Sequence, residues 1–220
     1  MFEPHLEVLP LPQRDLWGEL AQVPSHLVLY GGTALSLRLA HRQSFDFDFF
    51  SSRRLDNDEL LTRLPLLRGA KVLQNVGQTL TTEIDRQGSV KLSFFGEISI
   101  GRVGMPEKTA DGVLKVASLL DLAGTKAKVL LQRAESKDYL DLLAIFKSGI
   151  SLAEAMAAAR ALYGEHYNPI LTIKSLTYFG DGDLHKLTPD QKHQLEQIVS
   201  VQNFTLPNMQ RLGNDLSGET

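Results

Sequence analysis

The sequence predicts an α+β protein in which a mixed sheet with helices forms the first half and a bundle of helices forms the second. Three observations support this fold class. Within the predicted strand over 45–50, residues 45–49 alternate between Phe and Asp, which is the period of a β-strand. Residues 71–103 divide into short apolar segments separated by glycine-containing turns, which is typical of antiparallel strands. From residue 118 onward, helical patterns follow recognisable capping residues.

The elements predicted in the first half are short, and glycine or proline ends several of them. Gly31 and Gly32 break the buried strand before them, and Thr33 is placed to cap the next helix. The last four strands are expected to extend the first sheet with antiparallel neighbours. The predicted helices cover residues 15–23, 33–41 and 56–66, and the predicted strands cover residues 27–30, 45–50, 71–76, 78–85, 90–95 and 98–103.

The second half carries the capping signals of helices. Ser151 and Glu154 have the spacing of a capping box, and a proline follows both Asn168 and Thr188 at the favoured first helical position. We therefore expect an α/β domain over residues 1–115 and a helical domain over residues 116–220. Helices are predicted over 119–132, 136–147 and 169–178 and after Ser151 and Thr188, and the polar residues 213–220 are expected to fray.

Composition excludes several classes of protein. The chain has 220 residues, a formal net charge of −3 and no cysteine. The lack of cysteine excludes a disulfide framework, a thiol nucleophile and a Cys-bound metal, and the acidic balance argues against a protein that coats nucleic acid. We recognise neither a signal peptide nor an apolar run of about 20 residues, so we expect a cytoplasmic protein with no membrane partner.

Asp46 and Asp48 are the first residues that point to chemistry. They lie two residues apart on a predicted strand, so their side chains share one face. Neighbouring carboxylates repel each other unless a cation lies between them or one is protonated. Mg²⁺ suits such a pair because it binds one or two carboxylates and keeps its other positions for water and phosphate oxygens. The alternative is an exposed edge strand whose polar residues face water.

A strand, two glycines and a helix start precede this pair. Gly31 and Gly32 let the backbone approach a ligand, and the free N–H groups of the helix start favour an anion. Together with the carboxylate strand, the turn favours a site for a nucleoside triphosphate held by backbone and Mg²⁺. Thr33 could supply a hydroxyl there. Ser44 could touch a phosphate or could simply end the helix-to-strand turn, and the sequence favours neither.

At this point the sequence resembles a known family. Residues 31–35 read Gly-Gly-Thr-Ala-Leu and residues 41–50 read His-Arg-Gln-Ser-Phe-Asp-Phe-Asp-Phe-Phe. These segments resemble the nucleotidyltransferases of the AbiEii/AbiGii toxin family, which belongs to the DNA polymerase β-like superfamily. Lys126 and Arg133, followed by Lys-Asp-Tyr-Leu-Asp at residues 137–141, resemble the helical motifs of that family. One departure is Gly-Gly-Thr at a turn where the family often has Gly-Ser.

The resemblance implies a polymerase β-like nucleotidyltransferase fold whose active-site groove lies between two domains. It implies Mg²⁺-dependent transfer of a nucleoside monophosphate from an NTP to an acceptor hydroxyl, with an RNA end such as the tRNA 3′ end as acceptor and an antitoxin as partner. The NTP and the oligomeric state stay open. The candidate residues are Asp46, Asp48, Lys126 and Asp141 for catalysis, with the first two as metal ligands; Gly31, Gly32, Thr33, Ser44, Lys126 and Arg133 for nucleotide binding; and Asp138 and Lys137 as further members.

The spacing of the helical motif agrees with a shared site. Lys126 and Arg133 are two helical turns apart and are expected on one helix face, and Asp138 and Asp141 are expected on one face of the next helix. In the family interpretation Lys126 contacts the triphosphate, and Asp141 is a base or orients Lys126. The alternative is a surface network of ion pairs among Lys137, Asp138 and Asp141, which would contribute little to stability.

A third carboxylate, which the superfamily usually needs, has no clear position in the sequence. Glu83, Asp85 and Glu97 are the candidates in the predicted antiparallel strands, and none lies in a recognisable motif. Asp85 and Glu97 border turns, which favours solvated turn residues. Two other functions therefore stay open. One is a nucleotide-binding or partner-binding protein of the same fold without catalysis. The other is a transferase that acts on hydroxyls of proteins or small molecules.

Overall fold

The computed structural model of the chain describes residues 1–200 and 205–219. The chain divides into two compact units, the first comprising Met1–Ser118 with Gly213–Thr220 and the second comprising Leu119–Leu212. The division therefore lies close to the expected start of the helical part. The expected helical domain, however, extended to residue 220, whereas the last segment of the chain belongs to the first unit.

The first unit contains one mixed sheet of seven strands. These are β1 (Val28–Tyr30), β2 (Asp46–Phe50), β3 (Lys71–Val76), β4 (Thr79–Asp85), β5 (Ser89–Phe95), β6 (Glu107–Lys108) and β7 (Lys115–Val116). Their order in the sheet is β3-β4-β5-β2-β1-β7-β6. Strands β3, β4 and β5 pair antiparallel, as expected, and β5 joins the first part of the sheet by parallel pairing with β2. The antiparallel hairpins therefore extend the sheet on the side of β2.

Three α-helices belong to the first unit: α1 (Leu11–Leu16), α2 (Gly31–Leu39) and α3 (Asn57–Arg63). The helix expected over 15–23 is instead α1 followed by a 3-10 helix over Trp17–Gln22. The expected start of α3 is confirmed, since the Asp56 carboxylate accepts a hydrogen bond from the backbone N–H of Glu59. Helix α2 packs against β1 and β2, which fixes the turn between β1 and α2 relative to the sheet.

Two expectations for the first unit are wrong. Residues 98–103 form no strand, and their one bridge joins Arg102 to Gly213. Residues 213–219 do not fray: Leu216 is buried, and the ammonium of Lys115 donates to the carbonyl oxygen of Ser217. Hydrogen bonds to the tail thus take the place of the expected strand pairing. Thr220, the last residue of the expected fraying segment, lies outside the described residues.

The second unit is helical, as expected. Its α-helices are α4 (Leu119–Val129), α5 (Ser136–Lys147), α6 (Leu152–Tyr163), α7 (Pro169–Thr177) and α8 (Pro189–Ser200). The capping box of Ser151 and Glu154 is confirmed. Helix α4 packs against α6 at Gly124, where an added Cβ would lie 2.9 Å from the backbone nitrogen of Ala159. Small residues on both helices therefore allow this close approach.

Within the described part of the chain, no single helix has the length and apolarity needed to cross a bilayer. Taken together, the helical segments Ser136–Lys147 and Leu152–His166 have the length and apolar composition of a membrane span, but they are bent by 116° relative to each other.

Candidate active site

The turn between β1 and α2 lies directly against the carboxylate of Asp48. Strand β1 ends at Tyr30, and α2 begins at once with Gly31, whose φ is +77°. This left-handed backbone favours glycine. A Cβ at Gly31 would also lie 2.9 Å from Oδ2 of Asp48. Both the conformation and the close approach to the carboxylate therefore require glycine at this position.

The second glycine of the turn lies against a cation and a hydroxyl. A Cβ at Gly32 would come within 2.7 Å of Nη2 of Arg42 and 2.9 Å of Oγ of Ser44. The guanidinium also donates through Nη1 to the carbonyl oxygen of Gln43 at 2.8 Å. A positive charge and a hydroxyl thus lie beside the amino-terminal end of α2, where backbone N–H groups favour an anion. The structure therefore brings Ser44 to the predicted turn.

Strand β2 carries its two carboxylates on one face, as the alternation predicts. Asp46 and Asp48 are half-buried, while Phe47 and Phe49 point the other way and are fully buried. Phe45, the first residue of the predicted strand, precedes the observed strand and is 64% exposed. The buried rings anchor the strand, and the carboxylates face outward from the sheet core.

Asp46 is paired with a lysine on the neighbouring strand. Lys91 of β5 lies opposite Asp46 in the parallel register, and its Nζ is 2.9 Å from Oδ2 of Asp46. The two side chains are 40% and 44% exposed, so solvent and ions reach the pair. Ser93 lies opposite Asp48 in the same register. Neither position of β5 that faces the carboxylates holds an acid.

Thr33 does not cap α2, contrary to the prediction from the sequence. Because α2 begins at Gly31, Thr33 lies inside the helix and does not cap it. Its side chain is fully buried, and its hydroxyl donates to the backbone carbonyl oxygen of Asp46. Thr33 therefore fastens α2 to β2, and its hydroxyl faces the protein interior.

The two carboxylates of β2 have the chemistry that Mg²⁺ requires. They lie on one open strand face, and the Gly31 turn leaves room beside Asp48 that a side chain would fill. Mg²⁺ commonly binds one or two carboxylates and completes its shell with water and phosphate oxygens. No group of three or more His, Cys, Asp or Glu residues within 1–200 and 205–219 is arranged to hold a metal. Further ligands at this position would have to come from water or substrate.

None of the three candidates for a third carboxylate lies opposite Asp46 or Asp48 in a neighbouring strand. Glu83 on β4 lies opposite Lys91 and pairs with Lys71 at 3.5 Å. The Asp85 carboxylate accepts a hydrogen bond from the backbone N–H of Gly88 and so stabilises a turn. Glu97 is exposed and has a φ of +54°. The strand β5 supplies Lys91 and Ser93 at the facing positions instead.

The second cluster of predicted residues lies in the helical unit and is buried. The Nζ of Lys126 is 2.7 Å from Oδ1 of Asp138 and 2.6 Å from Oδ2 of Asp141. The lysine side chain is 7% exposed and both carboxylates are 0% exposed. These three residues are therefore not the surface network that the sequence left open as an alternative. Lys137 is on the surface, since it is 52% exposed and pairs with Glu135 at 2.7 Å.

Arg133 also belongs to this cluster, although it lies outside α4, the helix on which it was expected. Helix α4 ends at Val129, so Arg133 follows the helix and does not share a helix face with Lys126. Its Nε still lies 2.8 Å from Oδ2 of Asp138. Burial opposes ionisation of Asp138, but the hydrogen bonds and charges of Arg133 and Lys126 outweigh it and hold the pKa of this carboxyl below its usual value. The two cations and the two carboxylates of the cluster balance in charge.

The comparisons with known proteins identify the family of the chain. The family described as "Nucleotidyl transferase AbiEii toxin, Type IV TA system" matches residues 14–208. The chain belongs to this family. It is also 33% identical over 156 residues to the uncharacterized protein aq_aa25 of Aquifex aeolicus (strain VF5), across 70% of this chain and 73% of that protein.

A solved structure shares the fold of this AbiEii-family chain. It is a crystal structure from H. pylori described, as a provisional assignment, as that of a nucleotidyltransferase. The alignment has a TM-score of 0.52 at 14% identity and covers 86% of this chain and 91% of that one. The likeness confirms the predicted α+β, nucleotidyltransferase-like fold with its carboxy-terminal helices. Membership of the AbiEii family supports a nucleotidyltransferase toxin.

Two residues that support the AbiEii-family clusters were missed by the sequence analysis. Lys91 gave no signal because its contact with Asp46 depends on which strands pair and in which register. Asp183 accepts hydrogen bonds from the backbone N–H and the hydroxyl of Ser136, the first residue of α5. No local pattern could predict this contact, because the two residues lie 47 positions apart in the sequence.

Proposed function

We propose that this AbiEii-family protein transfers a nucleoside monophosphate from an NTP to a hydroxyl at an RNA end, in a Mg²⁺-dependent reaction. The first candidate for the acceptor is the 3′ end of a tRNA. The observation that carries the proposal is the pair Asp46 and Asp48 on one open face of β2, with Asp48 against the Gly31 turn. A carboxylate pair next to a helix start suits a metal-bound triphosphate.

In the first unit the proposed roles follow from the geometry of the turn. Asp46 and Asp48 would hold the divalent ion, which when bound polarises phosphate oxygens and neutralises the charge that develops on them. Gly31 and Gly32 would let phosphate oxygens approach the N–H groups at the start of α2. Ser44, beside Gly32, would donate its hydroxyl to the same phosphates.

In the second unit Lys126 would stabilise the leaving pyrophosphate. A lysine ammonium has three N–H donors; Asp138 accepts one at 2.7 Å, and the Asp141 carboxylate forms an ion pair with the same ammonium at 2.6 Å. A phosphate oxygen would accept from one of the other donors, and the two carboxylates hold the ammonium in place. Asp141 accordingly orients Lys126, and Arg133, which is 45% exposed, would add a second positive charge.

The reaction itself exchanges the α–β phosphoanhydride bond of the NTP for a phosphate ester bond to the acceptor. The oxygen of the acceptor hydroxyl bonds to the α-phosphorus, and the bond from that phosphorus to the bridging oxygen of the β-phosphate breaks. Pyrophosphate and the hydroxyl proton leave. The residues of the chain therefore have to position charge more than to supply covalent chemistry.

The cellular role proposed here follows from the family. The protein would act in the cytoplasm as the toxin of a toxin–antitoxin pair, with the antitoxin as its partner. Transfer of a nucleotide to a tRNA end would prevent aminoacylation, because the added nucleotide covers the terminal hydroxyl that accepts the amino acid.

The experiment that tests the proposal follows the label of an NTP. Full-length protein is incubated with each α-³²P-NTP, Mg²⁺ and total tRNA, and RNA and protein are separated on denaturing gels. Label should enter RNA with the wild type and be lost with Asp46→Ala. Asp58→Asn is a matched control, since Asp58 is an exposed carboxylate on α3 and should leave labelling unchanged.

A second candidate function has one observation in its favour. The positions of β5 that face Asp46 and Asp48 hold Lys91 and Ser93, so the facing strand supplies no third carboxylate. A protein that binds nucleotide without transferring it would need none. Binding of a Mg²⁺–NTP complex without transfer of label would support this candidate. Label on protein or on a small molecule would instead identify a different acceptor hydroxyl.

A further inference from the structure

Four charged residues form one row across the face of the sheet that carries the β2 carboxylates. Lys71 on β3 lies opposite Glu83 on β4, Glu83 lies opposite Lys91 on β5, and Lys91 lies opposite Asp46 on β2. The sign of the charge alternates along the row. Lys71 pairs with Glu83 at 3.5 Å and Lys91 pairs with Asp46 at 2.9 Å. We call these four residues the charge row.

Within the charge row, Lys91 has a carboxylate on either side. Directly opposite residues in antiparallel strands, such as Lys91 and Glu83, have Cβ atoms about 4.5–5.5 Å apart, and the flexible four-carbon stem of lysine can reach either neighbour. In this structure the ammonium contacts Asp46. The Lys91 ammonium therefore places next to Asp46, a proposed metal ligand, the positive charge that a bound divalent ion would otherwise supply.

We propose that Lys91 is a positioning residue that neutralises Asp46 until the divalent ion arrives and then turns to Glu83. The inference rests on the proposed function, which makes Asp46 a metal ligand. It adds that the metal ion and the Lys91 ammonium compete for one carboxylate. It also explains why β5 carries a lysine at the position that faces Asp46.

Because the pair is exposed, this exchange of partners costs little free energy. Asp46 and Lys91 are 44% and 40% exposed, and an ion pair of this kind contributes little to stability. A divalent ion held at Asp46 would repel an ammonium a few ångströms away. Glu83 is 36% exposed and lies opposite Lys91, so it offers the displaced ammonium a partner without a change in the backbone.

Competition predicts tighter metal binding when Lys91 loses its charge. Mn²⁺ is titrated into full-length protein without nucleotide, and free Mn²⁺ is measured by electron paramagnetic resonance. Lys91→Met keeps most of the apolar stem and should bind Mn²⁺ about tenfold more tightly than the wild type. Lys71→Met removes the same charge from the far end of the charge row and should change the affinity by less than about twofold. Melting curves check that both variants fold.

The role of Glu83 is tested by a double-mutant cycle. Glu83→Gln should weaken Mn²⁺ binding about threefold when Lys91 is present, because the displaced ammonium loses its alternative partner. In the Lys91→Met background the same substitution should change the logarithm of the Mn²⁺ affinity by at most half as much. A non-zero coupling between the two positions is a result that a merely structural role of Lys91 would not produce.

The outcomes separate this inference from the function on which it rests. Equal Mn²⁺ affinity of the wild type and a folded Lys91→Met would refute the competition between Lys91 and the metal ion for Asp46. Equal effects of Glu83→Gln in both backgrounds would refute the movement of Lys91 towards Glu83. Mn²⁺ binding that persists unchanged in Asp46→Asn would refute the proposed metal site at Asp46 and Asp48. Tighter binding in Lys91→Met, together with its loss in Asp46→Asn, is the result we expect.

Discussion

The two charged clusters of the molecule differ most in their exposure to solvent. On β2 and β5, Asp46 and Lys91 are 44% and 40% exposed and form a single contact. In the helical unit, Lys126, Asp138 and Asp141 are 7%, 0% and 0% exposed and are joined by contacts of 2.7 and 2.6 Å. The first cluster is open to ions, and these three residues of the second are buried.

This difference indicates different tasks for the two clusters. An exposed pair contributes little to stability and can exchange partners. A buried ionic cluster pays a large desolvation cost, and apolar residues of similar volume often stabilise a protein at least as well. The presence of Lys126, Asp138 and Asp141 in such a place therefore favours a role beyond stability. We interpret it as orientation of the Lys126 ammonium before any substrate binds.

The largest effect on stability is expected from breaking the buried cluster. Asp138→Ala leaves Lys126 with one carboxylate and removes the main partner of Arg133. Uncompensated buried charge typically costs about 3–5 kcal/mol. The free energy of unfolding, measured in urea, should fall by about that amount. Asp46→Ala should change it by less than about 1 kcal/mol, because its ion pair is exposed.

Lys137 provides the control for this comparison. It neighbours Asp138 in sequence but is 52% exposed and pairs with Glu135 on the surface. Lys137→Ala should change the free energy of unfolding by less than about 0.5 kcal/mol. A loss as large as that of Asp138→Ala would show that the buried cluster extends further than its contacts indicate.

A smaller effect is expected at the close approach of α4 and α6. An added Cβ at Gly124 would lie 2.9–3.0 Å from backbone atoms of Ala158 and Ala159. Gly124→Ala should therefore lower the free energy of unfolding by about 1–3 kcal/mol, as overpacking does, and disturb the helix that carries Lys126. Gly18→Ala is the matched control, since a Cβ there meets nothing within 4 Å. Equal effects of the two substitutions would contradict the packing argument.

The effect expected from Asp183 depends on pH. The hydrogen bond from the backbone N–H of Ser136, followed by that from Lys186, lowers the pKa of Asp183 from 3.8 to about 2. Because the pKa is lower in the folded state, the stabilisation is complete above about pH 4 and is lost as the pH falls through about 2.

The comparison with Asp183→Asn isolates this contribution. Asparagine can still accept the bond from Ser136 but carries no charge. The difference in melting temperature between the wild type and the variant should be largest above pH 5 and shrink as the pH falls towards 2. A difference that is constant from pH 6 to pH 2.5 would show that the Asp183 charge does not stabilise the start of α5.

The local features of both clusters could be predicted from the sequence. The alternation at residues 45–49 placed Asp46 and Asp48 on one face because a strand has a period of two. The capping box of Ser151 is confirmed because it depends on residues three positions apart. Thr33 was predicted wrongly as a cap, since the positive φ of Gly31 lets α2 begin two residues earlier.

The features that could not be predicted depend on partners far away in the sequence. Lys91 faces Asp46 only because β5 pairs parallel with β2 in one register. The expected strand over 98–103 has apolar spacing, but its residues bridge to the carboxy-terminal tail and not to another strand. Burial of the Lys126 cluster likewise depends on the packing of several helices, which no local pattern specifies.

The central claim is that the carboxylates of β2 support nucleotide transfer. The most direct measurement is the rate of pyrophosphate release by Asp48→Asn with Mg²⁺, NTP and tRNA, together with the melting temperature of the same sample. We predict a rate at least about 1,000-fold below that of the wild type, since a metal ligand is lost, and a melting temperature within about 3 °C of it. Release at the wild-type rate by a folded Asp48→Asn would contradict the claim.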